Sequence, residues 1–497
     1  MERYSRRGFL GMAAFAAVGG FSVRTAAQAA GLAKGGVKLR FGAISDVHIS
    51  AGGIQSGHCG DTTILERALA YFRDQNVDGV VIAGDMADWG LVEQLEAVGV
   101  AWRKVFPGNK AKGGKHVEKL FVYGNHDTAG HRYSYVKRYK LPESMFAKER
   151  TIAADKAGAW KKAFGEDWKP IMRKEVNGYT FILCHELEYP VKGPYADFLE
   201  RNRSALEGAK PFFYVQHYHP RGTTSAPMTW GQDSGASTEA LSKFPNAIAF
   251  SGHSHVPLVD DRVIWQGSFT SVGTASLRYL IPLGGRENTA PFGAEDPAYQ
   301  QMPRLELTDC QHGELVTVYG DCLTIERRDF ANGLPVGADW VVPLAFDGSL
   351  SFAARAAKAP VPQFGAGALV TVAATTGANR KKETVPQFTV SFPNLLSGVR
   401  AFDFDVAVEG VDVDVQRIWM TKRVFSRGFY RAPQKDVPVV TCVFAPEELP
   451  PPYRRIPKNQ SGLKYRFSVR PCNCWGMKGK PIYSKWFTDI QKELKPR

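Results

Sequence analysis

Five short polar clusters in this sequence bring together side chains able to hold a metal ion or move a proton. They are Asp46-Val47-His48, Gly84-Asp85-Met86-Ala87-Asp88, Gly124-Asn125-His126-Asp127, His217, and Gly252-His253-Ser254-His255. Carboxylate, amide oxygen and neutral imidazole are the donors that hard and borderline divalent ions take. Two such ions about 3.5–4 Å apart, sharing a carboxylate, activate water and stabilise an in-line displacement at phosphorus. Taken singly, the members have commoner readings, since a lone His217 or Asp46 is more often a surface or capping residue than a ligand. His217 also competes with His219 in Gln216-His217-Tyr218-His219-Pro220, and its place directly behind an apolar run favours it. The set of five reads as a metal site.

Each cluster follows an apolar run of strand length. The runs are Phe41-Gly42-Ala43-Ile44, Gly79-Val80-Val81-Ile82-Ala83, Leu120-Phe121-Val122, Phe213-Tyr214-Val215 and Ile248-Ala249-Phe250. In open α/β sheets ligands gather at the carboxyl ends of strands, so these runs deliver their clusters to one place. Between them, Asp61 caps a predicted helix with Ile64, Leu65, Ala68, Leu69 and Phe72 on one face, and Leu91 to Val105 reads as a second helix. Asn177-Gly178 predicts a tight hairpin between residues 171–176 and 179–184. The polar, glycine-rich residues 221–240 suit a substrate loop or an ordinary surface loop equally. Short strands between Leu305 and Val342 are expected to finish the second sheet of this domain. Beyond Pro343 the pattern changes to alternating runs such as 388–392, 401–406 and 465–469, which predict a small β-sandwich, with helical periodicity returning only in the last dozen residues. The fold class is therefore α/β, a layered core flanked by helices over residues 30–343, followed by an all-β sandwich-like domain over 344–497.

At 497 residues, with 44% apolar side chains, the chain is long enough for two cores. Ser5-Arg6-Arg7-Gly8-Phe9-Leu10, an apolar run from Gly11 to Val23 and Ala27-Gln28-Ala29 together read as a twin-arginine export signal over residues 1–29. The run is short for a membrane anchor. The expected location is periplasmic or secreted, with the twin-arginine export machinery as a partner. Of seven cysteines none falls in the five clusters, which excludes thiol chemistry as the function. Cys184 reads as a core thiol, and Cys310 and Cys322 flank a hairpin where an oxidising compartment permits a bridge. The formal charge of +14 is uneven: residues 451–497 hold twelve Lys and Arg against Asp489 and Glu493. That tail is a solvated surface or a contact with an anionic envelope or membrane surface. No nucleic-acid module is evident.

With these motifs in this order, the sequence resembles the calcineurin-like metallophosphoesterases over roughly residues 38–270. The resemblance implies two divalent ions, for which Mn, Fe, Zn and Co are equally suited. It places Asp46, His48, Asp85 and His255 on one ion and Asn125, His217 and His253 on the other, with Asp85 bridging. It makes His126 the catalytic histidine that stabilises the phosphoryl group or protonates the leaving oxygen, with Asp127 orienting its ring. Asp88 is then an outer residue or helix cap, and stands where purple acid phosphatases carry a tyrosine. His185, His58 and His131 read as loop or hydrogen-bonded histidines. Trp89, Tyr133, Tyr135 and Trp230 read as packing or rim aromatics. The implied activity is phosphoester hydrolysis by metal-activated water, with phosphodiesters ahead of phosphomonoesters. The alternatives are a 5'-nucleotidase-like phosphatase and an envelope-binding protein with a vestigial metal site.

Overall fold

The computed structural model describes residues 36–50, 60–132, 142–185, 194–224, 232–281, 307–345, 347–378, 382–395, 398–412, 415–426, 429, 437–445, 448–449 and 464–488. The leader, His58, Tyr133, Tyr135, Trp230 and the last nine residues lie outside them. The described residues divide into two compact units, 36–281 with 307–358, and 359–488. No helix among them is long and apolar enough to cross a membrane.

The first unit begins β1 (Leu39–Ile44), α1 (Thr63–Asp74), β2 (Gly79–Ala83), α2 (Val92–Val105), β3 (Glu118–Val122), α3 (Asn125–Ala129), α4 (Lys156–Phe164), β4 (Ile171–Val176) and β5 (Tyr179–Cys184). It continues with α5 (Pro194–Arg201), α6 (Arg203–Leu206), β6 (Phe212–Val215), α7 (Ala236–Leu241), β7 (Ala247–Ser251), β8 (Ile264–Gln266) and β9 (Thr270–Gly273). β10 (His312–Val318), β11 (Cys322–Asp329), β12 (Leu334–Pro335), β13 (Trp340–Pro343) and α8 (Phe352–Lys358) complete it.

Two sheets face each other. The first has the order β12-β11-β10-β1-β2-β3, with β13 also on β11, and the second β4-β5-β6-β7-β9-β8. β1, β2 and β3 are parallel, as are β5, β6, β7 and β9, so both sheets present strand carboxyl ends. The strands of 305–342, expected in the second sheet, join the first, because β10 runs antiparallel to β1 with Leu39 opposite Val318. That register also corrects the Cys310–Cys322 bridge. His312 pairs with Asp329 and Val318 with Leu323, so the two cysteines stand at opposite ends of a seven-residue hairpin. At about 3.3 Å per residue that separation is far beyond disulfide reach.

Alternation along β1 explains the packing on both of its faces. Phe41 meets Phe181, Phe213 and Phe250 of the second sheet edge-on, at centroid distances of 5.3, 4.9 and 5.5 Å. Gly42 faces the other way, where a Cβ would strike the Phe72 ring of α1. α1 buries Leu65, Ala68, Leu69 and Phe72, each worth about 1.5–3 kcal/mol for a large side chain. Asp61 does not cap α1 directly; its Oδ1 accepts from Thr63 N at 2.8 Å in a turn just ahead of it. Asn177 and Gly178 both have positive φ, 48° and 72°, as the two-residue hairpin between β4 and β5 requires.

Among the described residues the second unit is all-β apart from its connections: β14 (Thr371–Ala378), β15 (Thr384–Pro393), β16 (Asp403–Asp412), β17 (Val415–Phe425), β18 (Val439–Phe444), β19 (Lys464–Cys472) and β20 (Ile482–Tyr483). The sheets β14-β15-β18 and β17-β16-β19-β20 share one core, with Phe388, Val390 and Phe392 against Phe404, Val406 and Phe467. The division falls after Lys358, not at Pro343, because α8 is tied to the first unit. Arg355 donates to Ile264 O at 2.8 Å and pairs with Asp261 at 3.1 Å.

Candidate metal centre

The turns leaving the parallel strands are built from residues held in an uncommon backbone conformation. Asp46, His48, Asp85, His253 and His255 have φ of 50°, 45°, 52°, 66° and 55°. Left-handed conformations in residues other than glycine cost on the order of 1 kcal/mol each and persist only where the surroundings dictate them. Here backbone bonds do so: Asp46 N donates to Gly84 O at 3.0 Å and His48 N to Asp85 O at 2.9 Å. His126 N donates to Asp85 Oδ1 at 2.8 Å, and His253 N to Asp46 Oδ2 at 2.9 Å. Gly84, at φ 91°, has no room for a Cβ, which would collide with the His217 ring and with Gly124 Cα.

Two groups of donors result. In the first, His255 Nε2 lies 3.0 Å from Asp46 Oδ1 and 3.2 Å from His48 Nε2. In the second, His217 Nε2 lies 3.1 Å from both Asp85 Oδ2 and His253 Nδ1. Asp85 Oδ2 is also 3.8 Å from His48 Nε2, which puts this carboxylate between the groups. Ligands about 2.1 Å from one ion stand about 3.0–3.4 Å apart, so the spacing, as well as the donor types, fits a divalent cation in each group. Asn125 is buried at the start of α3, at the same end of β3.

The outer nitrogens fix the tautomers. His217 Nδ1 lies 2.8 Å from Ala83 O, and His255 Nδ1 lies 2.9 Å from Tyr279 O. A carbonyl only accepts, so Nδ1 carries a proton in each ring and Nε2 is the nitrogen that faces the carboxylates. Burial alone would raise the Asp46 carboxyl, yet His255, His48 and His217 hold it well below the usual carboxylate range. Burial likewise opposes charge on His217, but Asp85 and Asp46 push it up to about 10. The same negative potential is what the site offers a cation.

Asp88 meets the ring of His126 at Nδ1. That nitrogen lies 2.7 Å from Asp88 O and 3.5 Å from Asp88 Oδ1, and the His126 ring is edge-on to His48 at 4.6 Å. Asp88 Oδ1 also lies 3.1 Å from His48 Nδ1, so one residue touches both histidines. Against the cost of burial, those two imidazoles hold Asp88 well below the carboxylate range. Asp127, expected to orient the His126 ring, accepts instead from Ala87 N at 2.7 Å and Gly124 N at 2.8 Å. Its carboxylate ties the turn after β2 to the turn after β3. Burial and the nearby Asp85 push it up to about 7.

The sequence reading missed two tyrosines. Tyr279 lies 4.3 Å from His255 and 6.0 Å from His48 between ring centroids, and Tyr218 lies 4.3 Å from His253 and 5.7 Å from His217. Tyr218 stands between His217 and His219 in the sequence, whereas Tyr279 follows no motif at all. His219 enters neither donor group. His185 is buried beneath β3, accepts from Tyr123 N at 3.0 Å and is pushed down to about 3 by burial. Trp89 packs on Phe146. Burial pushes the Cys184 thiol up to about 12, which makes it inert.

Residues 39–257, just under half of the chain, match the family model for calcineurin-like phosphoesterases. The matched span holds all five polar clusters, from Asp46 to His255. Among solved structures, a dimetal phosphatase from Danio rerio is similar at 12% identity and a TM-score of 0.34, over 62% of this chain and all of that one. A predicted phosphoesterase from Streptococcus pneumoniae matches at 14% identity and 0.27, over 61% of this chain and 97% of that one. Vacuolar protein sorting 29 from Cryptosporidium parvum matches at 9% and 0.25, over 61% and 97%. No curated protein matches significantly.

Proposed function

We propose that this protein is an exported phosphodiesterase with a dinuclear metal centre. The observation that carries the reading is Asp85: one buried carboxylate set between two donor groups, each spaced for a single cation. Asp46, His48, Asp85 and His255 would hold one ion, and Asp85, Asn125, His217 and His253 the other. When bound, the pair supplies the Lewis acidity that activates water at neutral pH and balances charge on the phosphoryl oxygens. The chain's own residues do the rest. Asp46 and Asp85 arrive ionised, with Nδ1–H of His217 and His255 fixed by carbonyls. His126, its ring held at Nδ1 against Asp88 O, would deliver a proton from Nε2 to the leaving oxygen.

Export is supported by Ser5-Arg6-Arg7 and the apolar run behind it. Contact with an anionic envelope surface is supported by the exposed Lys464, Arg470, Lys480 and Lys485 of the second unit. The test of the activity is turnover of bis(p-nitrophenyl) phosphate against p-nitrophenyl phosphate by metal-defined protein. The expected outcome is diester preference, with kcat reduced at least about 100-fold in His126→Ala. Monoester preference would replace the diesterase by a general phosphatase, and no turnover of either would overturn the reading.

A further inference from the structure

His219 is the histidine of Gln216-His217-Tyr218-His219-Pro220 that the donor groups leave out, yet it is fully buried and bonded at both nitrogens. Nδ1 lies 2.6 Å from Ser251 Oγ and 2.8 Å from Thr224 Oγ1, and Nε2 lies 2.5 Å from Ser254 Oγ. All four side chains are at most 2% exposed. Ser251 is the last residue of β7, and Ser254 stands between His253 and His255. One imidazole therefore grips the Gly252–His255 turn at its root and at its middle.

That turn needs gripping. His253 and His255 both sit in the left-handed region, and Ser254 between them is the residue whose side chain can be held from beneath. The same network continues away from His219. Ser251 O accepts from Thr274 N at 2.8 Å, Thr274 Oγ1 donates to Ser45 Oγ at 2.7 Å, and Ser45 Oγ donates to Asp46 Oδ2 at 2.5 Å. A neutral imidazole offers one donor and one acceptor, which a ring of hydroxyls can satisfy in full. Such a fully satisfied buried network specifies one arrangement, where an apolar side chain would leave three hydroxyls to find new partners.

We infer that His219 is a positioning residue, which through Ser254 sets His253 and His255 in the backbone conformation that sends one imidazole to each donor group. The inference rests on reading those groups as a dinuclear metal centre. The two imidazoles leave adjacent alternate positions of one tripeptide and join different groups, so a small rotation about Ser254 misplaces both. Loss of His219 is thus expected to weaken both ions together, as Asp85 would do from the opposite side.

The experiment compares wild type, His219→Ala, His219→Gln and Ser254→Ala, each titrated with Mn2+ and separately with Zn2+ against a chelator. Tm is read with and without metal. The expected result is an affinity about 10–100-fold weaker in His219→Ala and Ser254→Ala, the range known for outer partners of metal ligands. The metal-induced rise in Tm shrinks with it, and His219→Gln recovers part of the loss. Combining His219→Ala with Ser254→Ala adds little beyond the worse single change, because the His219–Ser254 bond is lost in both. A merely structural role would lower Tm equally with and without metal and leave affinity unchanged, and that result overturns the inference. Ser254→Ala keeps the imidazole and its Ser251 bond, so it decides the matter if His219→Ala does not fold. Wild-type protein that binds neither ion would remove the metal-centre reading itself, whereas wild-type binding with unaltered variants removes only the role of His219.

Discussion

Asp88 and Asp127 divide a task that the motif Gly124-Asn125-His126-Asp127 seemed to give to one of them. Asp88 touches the rings of His126 and His48, and Asp127 holds two backbone N–H groups that would otherwise be buried without acceptors. The two carboxylates should therefore fail differently when replaced. Asp127→Ala leaves two orphaned donors and is expected to cost about 2 kcal/mol or more, read as a fall in Tm. Asp88→Ala removes the charge shared by the two histidines and is expected to lower kcat about tenfold or more while moving Tm little. Thermal melts beside steady-state kinetics check both, and a reversed pattern would return the orienting role to Asp127. The sequence made the donors legible because each follows an apolar strand. It could not show which way a carboxylate turns, since Asp88 and Asp127 are equally polar and equally close to the motif histidine.

At the scale of elements, hydrophobic runs announced β1, β2, β3, β6 and β7, and Asn177-Gly178 announced the β4–β5 hairpin. What local pattern could not show was the partner of each strand, which is why β10 was assigned to the wrong sheet. β10 also carries a side chain that alternation did not anticipate. Glu314 faces the sandwich interior beside Ala43 of β1 and Arg327 of β11, and neither carboxyl oxygen has a hydrogen-bond partner among the described residues. His312, two residues earlier on the same face, accepts from Leu258 N at 3.2 Å while its Nε2 is likewise unpaired. Burial raises the Glu314 carboxyl well above its ordinary value, and Arg327 offsets this only in part. The folded state thus holds a proton that the unfolded chain, with a pKa of about 4.3, releases. Stability from this group is complete below that pH and is lost as pH rises through the folded value, by at most about 1.4 kcal/mol per pH unit. Glu314→Gln removes the titration, so Tm of the variant should match wild type near pH 4 and exceed it increasingly above pH 6. Parallel Tm profiles across that range would show that Glu314 is not buried as a neutral acid.

The whole molecule joins an α/β unit of two facing sheets to an antiparallel sandwich, each with its own aromatic core. The change of hydrophobic period beyond Pro343 was visible in the sequence, but the Arg355 contacts that draw α8 back to the first unit were not, because they join residues about ninety positions apart. Five polar clusters spread over more than two hundred residues meet because parallel strands in both sheets end on one side, and Asp85 stands where their two donor groups adjoin. The measurement that tests this most directly is metal content per chain by elemental analysis, on wild type, His126→Ala and Asp85→Ala prepared in the same defined metal. Two ions are expected in wild type and in His126→Ala, and fewer than one in Asp85→Ala, because its carboxylate serves both groups. Asp85→Ala protein that kept both ions, or wild type that held none, would contradict the account.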